Sequence, residues 1–190
     1  GVAAGVALAR KAKGEHGVTV VVTGDGAMEE GTFYETILFL EAQQLPSIVI
    51  VENNEWSLAS RIEERRRSLD VESLARGVGA RYLKLQGNDA DAYATAFKSL
   101  RQDVLTSPGA AIVEVTLSTL GDWRLKTDEQ PDGKFINYHA GPAPTVDLNE
   151  WPLIGADDGD PVHVLGERHG ENAMREAARK ILSELEESIR

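Results

Sequence analysis

At 190 residues, with 42% hydrophobic and 27% charged side chains, the chain is long enough for one domain with a real core. Its 31 acidic against 20 basic residues give a net charge of -11, which argues against a nucleic-acid surface or an anionic membrane, since both need basic patches. Cysteine is absent, which excludes disulfides, thiolate metal sites, a cysteine nucleophile and ligands for an iron–sulfur cluster.

Residues 1–10 read as the interior of a helix without an N-cap or an initiator Met, so further chain upstream or on another polypeptide is expected, with a trimmed mature terminus as the alternative. Residues 17–23 form a β-branched run that predicts a buried strand. It enters Gly24-Asp25-Gly26, where the glycines permit a sharp turn. A helix is expected from about 29 to 44, with Phe33, Ile37, Leu38, Leu40 and Leu45 on its apolar face and Pro46 ending it. Residues 47–51 predict a second buried strand, completing one right-handed βαβ unit. The charge run at 61–67, Arg-Ile-Glu-Glu-Arg-Arg-Arg, reads as a solvated loop or as one that orders over a cofactor or partner.

Asp70 is placed to cap a short helix over 70–77, with Gly77 near its end. A strand follows at 82–85. Asp89 or Asp91 then caps a helix through about 105, with Ala94, Phe97, Leu100 and Val104 on one face. Ser107-Pro108-Gly109 turns into a buried strand over 110–117. This alternation predicts an α/β fold, a parallel sheet with helices on both faces, as a single domain over 1–190. Residues 118–160 show little periodicity and read as an irregular active-site or interface region. Residues 161–190 form a helical tail. Its last helix carries Ala173, Ala177, Ile181, Leu182, Leu185 and Ile189 on one side, the pattern of a packed surface helix, with a partner-binding helix as the alternative. No apolar run approaches the ~20 residues of a membrane span and no signal peptide is visible. A cytoplasmic protein is therefore expected, or one of the mitochondrial matrix if the source is eukaryotic.

The interval between Gly26 and Asn53 has room for one helix and one strand, so both motif ends return to the same edge of a parallel sheet. Open α/β sheets bind ligands at that edge. The N–H groups of Gly26 and Ala27 would face an anion there, but a helix dipole contributes only about 0.3–2 kcal/mol. A divalent cation must supply most of the neutralisation of a diphosphate. Mg2+ takes oxygen ligands at roughly 2.0–2.1 Å and commonly combines carboxylates with phosphates. Asp25 offers a carboxylate, Asn54 an amide oxygen and Trp56 a main-chain carbonyl. Taken alone, Gly-Asp-Gly is a common β-turn. A dinucleotide reading is disfavoured because no Gly-x-Gly-x-x-Gly follows the first strand.

Gly24-Asp25-Gly26 with Asn53-Asn54, and Gly26-Ala27-x-x-Glu30-Gly31 between them, resembles the diphosphate-binding domain of thiamine diphosphate-dependent enzymes. The pattern looks like the α subunit of 2-oxoacid dehydrogenase E1 components or the N-terminal domain of transketolase. The resemblance is strong to about residue 115, weaker over 118–159 and modest beyond. It implies that Asp25 and Asn54 ligate Mg2+, that Trp56 lends its carbonyl, and that Gly24, Gly26 and Ala27 adjoin the thiamine diphosphate. Glu30 and Glu35 match transketolase acids that link paired active sites across an interface. His139, in Tyr138-His139-Ala140-Gly141-Pro142, weakly resembles a His-Gly-x-x-Pro segment near the cofactor, with Ala140 intervening. The Arg-rich Gly-His-Ser loop of E1 α subunits is missing, which leaves the substrate class open.

The implied activity is 2-oxoacid decarboxylation, with transketolase-type ketol transfer as the alternative. A non-catalytic thiamine diphosphate-binding assembly subunit, or a phosphate-binding α/β protein without thiamine, are the further readings. In the family a Glu on a second, pyrimidine-binding domain activates the cofactor. This chain offers no candidate for that domain. The resemblance therefore implies an E1 β-like or transketolase C-terminal-like partner chain or domain, in a homo- or hetero-oligomer.

Overall fold

A computed structural model describes residues 1–57, 60–118, 124–135, 153 and 155–189. The chain divides into two compact units, one from Gly1–Gln86 and Ala92–Leu117, the other from Gly87–Asp91 and Ser118–Arg190.

The first unit begins with α1 (Val2–Ala12), β1 (Thr19–Gly24), a single 3-10 turn (Ala27–Glu29) and α2 (Gly31–Ala42). It continues through β2 (Ser47–Asn53), the two-residue strands β3 (Trp56–Ser57) and β4 (Ser60–Arg61), and the short α3 (Ile62–Arg65). It ends with α4 (Val71–Val78), β5 (Arg81–Leu85), α5 (Ala90–Thr106) and β6 (Ala110–Thr116). Strands β1, β2, β6 and β5 lie in that order in one parallel sheet.

Side-chain parity on the two inner strands separates two cores. Val49 and Val51 of β2, with Ala110 and Ile112 of β6, pack on Phe33, Ile37 and Leu40 of α2 and on Val71 and Ala75 of α4. Ile48, Ala111, Val113 and Val115 point the other way, onto Leu100 and Val104 of α5. The sheet is thus covered on both faces, and its inner strands read as continuous apolar runs for that reason. On the edge strand β1, Val20 and Val22 stay exposed on the α5 face, where α5 packs over β2, β6 and β5.

Two expectations shift. The helix expected from residue 29 is interrupted, because Glu30 is extended (ψ 133°) between the 3-10 turn and α2. Glu30 is the N-cap of α2 rather than a member of its first turn. Helix α4 is capped by Asp70 as expected, with Ser73 N donating to Oδ1 at 2.8 Å. It runs past Gly77 to end at Gly79, whose left-handed φ of +84° suits glycine.

The second unit holds an antiparallel hairpin, β7 (Arg124–Thr127) and β8 (Gln130–Phe135), then α6 (Pro161–His169) and α7 (Glu171–Ile189). The hairpin lies inside the stretch that lacks sequence periodicity; strands this short, one with Pro131 and Gly133, leave little alternation to read. Asp160 caps α6, accepting from Val162 N at 2.8 Å and from Gly155 N at 3.0 Å, with Pro161 opening the helix. Helix α7 departs from the packed-helix expectation. Its stripe of Ile181, Leu185 and Ile189 is exposed, and none of its described residues is buried.

Candidate functional site

The first motif end is fixed by backbone pairing. β1 runs parallel to β2 through Gly24 and Glu52, and Asp25 N donates to Glu52 O at 3.0 Å. The parity that sends Val21, Val49, Val51 and Ile112 into the α2-side core also directs Asp25, Asn53 and Glu114 to that side, just beyond the core's end. All three line a cavity of about 600 Å³ at the C-terminal edge of the sheet. Arg61, Arg66 and Arg67 line it as well.

Asp25 is 3% exposed, and its Oδ2 is buried without a hydrogen-bond partner among the described residues. The nearest cation is Arg65, whose Nη2 stands 3.9 Å from that oxygen. At an effective dielectric of ~20, such a pair attracts by about 4 kcal/mol. Burial nevertheless dominates and raises the Asp25 carboxyl above the ordinary range, against the lowering effect of Arg65. A carboxylate held this way is short of positive charge in direct contact. Gly26 adds a steric requirement, since a Cβ there would lie 2.6 Å from Ser57 Oγ. Its φ of -68° is ordinary, so it is close approach and not backbone strain that calls for glycine.

Charged side chains hold the segment after β4 against this edge. Arg65 Nη1 and Arg66 Nε both donate to Oε1 of Glu29, the latter at 2.9 Å. Arg66 Nη2 donates to the main-chain oxygen of Asp25 at 3.3 Å. The Nε and Nη2 of Arg65 are buried and lack hydrogen-bond acceptors among the described residues.

The second motif end is a pair of side-chain-closed turns. Asn53 Oδ1 accepts from Glu55 N at 3.1 Å, and Asn54 Oδ1 from Trp56 N at 3.0 Å. Glu55 takes a left-handed φ of +64° between them. Asn53 Nδ2 donates to Glu114 Oε1 at 2.9 Å, and the Tyr82 hydroxyl donates to Glu114 Oε2 at 2.6 Å. The 8% exposed carboxylate of Glu114 thus joins three strands: β5 through Tyr82, β6 through itself and β2 through Asn53. Burial pushes the Tyr82 hydroxyl above its ordinary value, and the Glu114 carboxylate it faces adds to the shift. Trp56 is buried, with the Arg61 guanidinium 5.0 Å from its ring centroid.

Of the residues singled out from sequence, Gly24, Asp25, Gly26 and Ala27 lie together at the end of β1, and Asn54 and Trp56 in the turn after β2. Asn53 lines the cavity with Asp25. Asn54 is half-buried beside it, and its oxygen retains a second lone pair beyond the Trp56 contact. Glu30 and Glu35 are both exposed in this chain, Glu35 next to exposed Leu38 and Phe39 on α2. Leu38 was expected on the apolar inner face; the helical phase set by Phe33, Ile37 and Leu40 turns it outward. His139 lies outside the described residues.

Glu29, Tyr82 and Glu114 were not singled out from sequence, and Arg65 and Arg66 only as members of the 61–67 charge run, which here holds the short helix α3 and contacts Glu29 and Asp25. For Glu114 a signal existed: a lone carboxylate inside the apolar run Ala-Ala-Ile-Val-Glu-Val. Among the described residues no three His, Cys, Asp or Glu gather into a metal-holding cluster. A cation at Asp25 would draw its other ligands from amide, carbonyl or phosphate oxygens.

Residues 1–118 match the family model described as dehydrogenase E1 component. The chain is 30% identical over 127 residues to the pyruvate dehydrogenase E1 component subunit alpha of Staphylococcus aureus, an alignment covering 67% of this chain and 34% of that protein. It is 30% identical over 119 residues to the mitochondrial 2-oxoisovalerate dehydrogenase subunit alpha 1 of Arabidopsis thaliana, covering 63% of this chain and 25% of the other. The chain spans about a third or less of the length of these relatives. Its α/β fold is shared with the transketolase of Campylobacter jejuni at a TM-score of 0.52 and 21% identity, over 60% of this chain and 18% of that one. With the matched segment running two residues past the end of β6, and with the whole βαβ unit and its acidic turn inside it, the chain belongs to the dehydrogenase E1 component family.

Proposed function

We propose that this chain supplies the diphosphate- and Mg2+-binding part of a thiamine diphosphate-dependent 2-oxoacid dehydrogenase E1-type active site. The observation that carries the reading is the buried Asp25 carboxylate, its Oδ2 without a hydrogen-bond partner, at the end of β1 beside the Asn53-Asn54 turn. Asp25, an Asn54 amide oxygen and the Trp56 carbonyl are the ligand types Mg2+ takes, with phosphate oxygens completing the set. Glycine at 26 lets the Ser57 side chain close against the turn, which keeps the Asp25 turn and the Asn53-Asn54 segment together at the proposed site. Glu114 and Tyr82 hold the Asn53 amide, and with it the turn that presents Asn54. When bound, thiamine diphosphate supplies the carbanion that adds to a substrate carbonyl.

The activating Glu and the pyrimidine pocket come from a partner chain or domain in this reading. The exposed face of α2, with Glu35, Leu38 and Phe39, supports an interface there; Glu30 and Glu35 would be the carboxylates it covers. His139 is proposed to lie near the cofactor. Ketol transfer between sugars is the second reading, favoured by the shared fold with a transketolase. Turnover of a 2-oxoacid rather than a ketose phosphate, with the partner present, separates the two.

Calorimetry with thiamine diphosphate should show binding that requires Mg2+, and Asp25→Ala should abolish it. Tight binding retained in Asp25→Ala overturns the assignment.

A further inference from the structure

Beyond the ligand set, the opposing pair at the site carries information of its own. Asp25 Oδ2 and Arg65 Nη2 are both buried, face each other at 3.9 Å, and lack hydrogen-bond partners among the described residues. The separation is too long for a hydrogen bond. Two buried, complementary charges that stop short of contact are held there by something other than their own attraction. Glu29 is that restraint. Its Oε1 accepts from Arg65 Nη1 and from Arg66 Nε, so the guanidinium is drawn to the 3-10 turn and only its second arm reaches toward Asp25. Arg66 Nη2 ties the same segment to the Asp25 main-chain oxygen.

A Cβ on Gly26 would clash with Ser57 and stand in ordinary contact, 3.7 Å, with Arg65 Nη1. Arg65 is 19% exposed at its side chain, against 4% for Asp25, and its Nε and Nη2 are buried along with Asp25 Oδ2, so the two charges face each other away from water.

We infer that Arg65 is an internal counter-cation of the site, occupying the electrostatic place of a divalent ion at Asp25 and competing with it, with Glu29 as the acceptor that keeps the guanidinium poised. The inference rests on the proposed Mg2+–diphosphate reading and assigns Arg65 a determining role in cation affinity. A divalent ion at Asp25 would place like charge beside Nη2, and the Arg65 Nε and Nη2, which lack hydrogen-bond acceptors among the described residues, would be available to phosphate oxygens bound with it. The apo site is therefore kept from standing as a bare buried carboxylate, and the cation binds only where its two charges outweigh the one it displaces.

The test is a Mn2+ titration followed by water-proton relaxation, with thiamine diphosphate at fixed concentration, on the wild-type chain, Arg65→Gln and Arg65→Lys. Circular dichroism checks that each variant is folded. Removing one charge this close to a carboxylate changes its affinity for a cation by about tenfold or more. Arg65→Gln should therefore bind Mn2+ about tenfold more tightly, while Arg65→Lys, which keeps the charge, stays near wild type. In the metal-free chain, thermal midpoints of Arg65→Gln, Asp25→Asn and the double variant should be non-additive, because each substitution removes the same pair. Mn2+ binding that is equal or weaker in Arg65→Gln overturns the counter-cation role while leaving the metal site standing. Additive midpoints overturn it also, by showing the pair to be uncoupled. A wild-type chain that binds no Mn2+ with thiamine diphosphate present overturns the proposed function and this inference together.

Discussion

The two compact units of this chain are held by different forces. The first is organised around a parallel sheet with a hydrophobic core on each face. The second, among its described residues, is organised by polar contacts. Asp160 caps α6, and the side-chain amide of Asn88 donates to the Asp158 and Gly159 carbonyls. Arg168 donates to Asp89 and Asp91, and His169 Nε2 lies 2.6 Å from Asp91 Oδ2. Helix α7 has none of its described residues buried. Burying an aliphatic side chain contributes about 1.5–3 kcal/mol, whereas an exposed ion pair contributes about 0–1. The family match over residues 1–118 takes in all of the first unit and, of the second, residues 87–91 and 118. The difference locates the site's rigidity: Asp25, Asn53 and Glu114 stand at the ends of strands whose other residues fill the cores.

The largest test of this contrast sets one core residue against one on the exposed stripe. Ile112→Ala should destabilise the chain by about 2–5 kcal/mol in urea denaturation, since Ile112 is fully buried in the central strand. Leu185→Ala on α7, half exposed, should change stability by no more than about 0.5 kcal/mol. Comparable losses in the two variants would mean that α7 is buried in solution, against a partner or a second copy.

A smaller effect probes how the sheet carries the site. Tyr82→Phe removes one donor from the part-buried Glu114 carboxylate and should cost about 1–3 kcal/mol. It should also weaken Mg2+-dependent thiamine diphosphate binding in calorimetry, because the Asn53 amide loses a stiff acceptor. Unchanged affinity alongside lost stability would confine the Tyr82–Glu114–Asn53 chain to a structural role.

The smallest expected effect is a pH dependence in the second unit, read at α6. The Asp91 carboxyl is held below its ordinary range, first by its contact with His169 and then by Arg168. A depressed carboxyl stabilises the folded form at pH values above its unfolded value of 3.8. That contribution falls away as pH drops from there through the lowered folded value. Amide exchange in α6 should therefore rise below about pH 4 in wild type and be less acid-sensitive in Asp91→Asn. The amides of β2 and β6 should not follow it. An acid response that begins in the sheet would reverse the order of the two units.

Local chemistry made much of this protein legible in its sequence. β-branched runs gave the positions of β1, β2 and β6, because inner strands of a parallel sheet are apolar on both faces. Asp70 announced the start of α4, since a carboxylate next to free helix N–H groups acts over only one turn. The Gly-Asp-Gly turn and the double Asn stood at an interval fixed by one helix and one strand, which placed both at the same sheet edge. What the tertiary structure alone decided depended on contacts between distant segments. Glu114 is legible as a buried carboxylate, but its use depends on register: it sits at the level of β2 that brings Asn53 within reach, with Tyr82 approaching from β5. Glu29, Arg65 and Arg66 belong to two charge-rich stretches about 36 residues apart. Nothing periodic in either shows that they close on one another around Asp25. The break at Glu30 turned on a single ψ angle. Apolar spacing on α7 showed which residues share a face, but spacing alone carries no sign of whether anything covers that face.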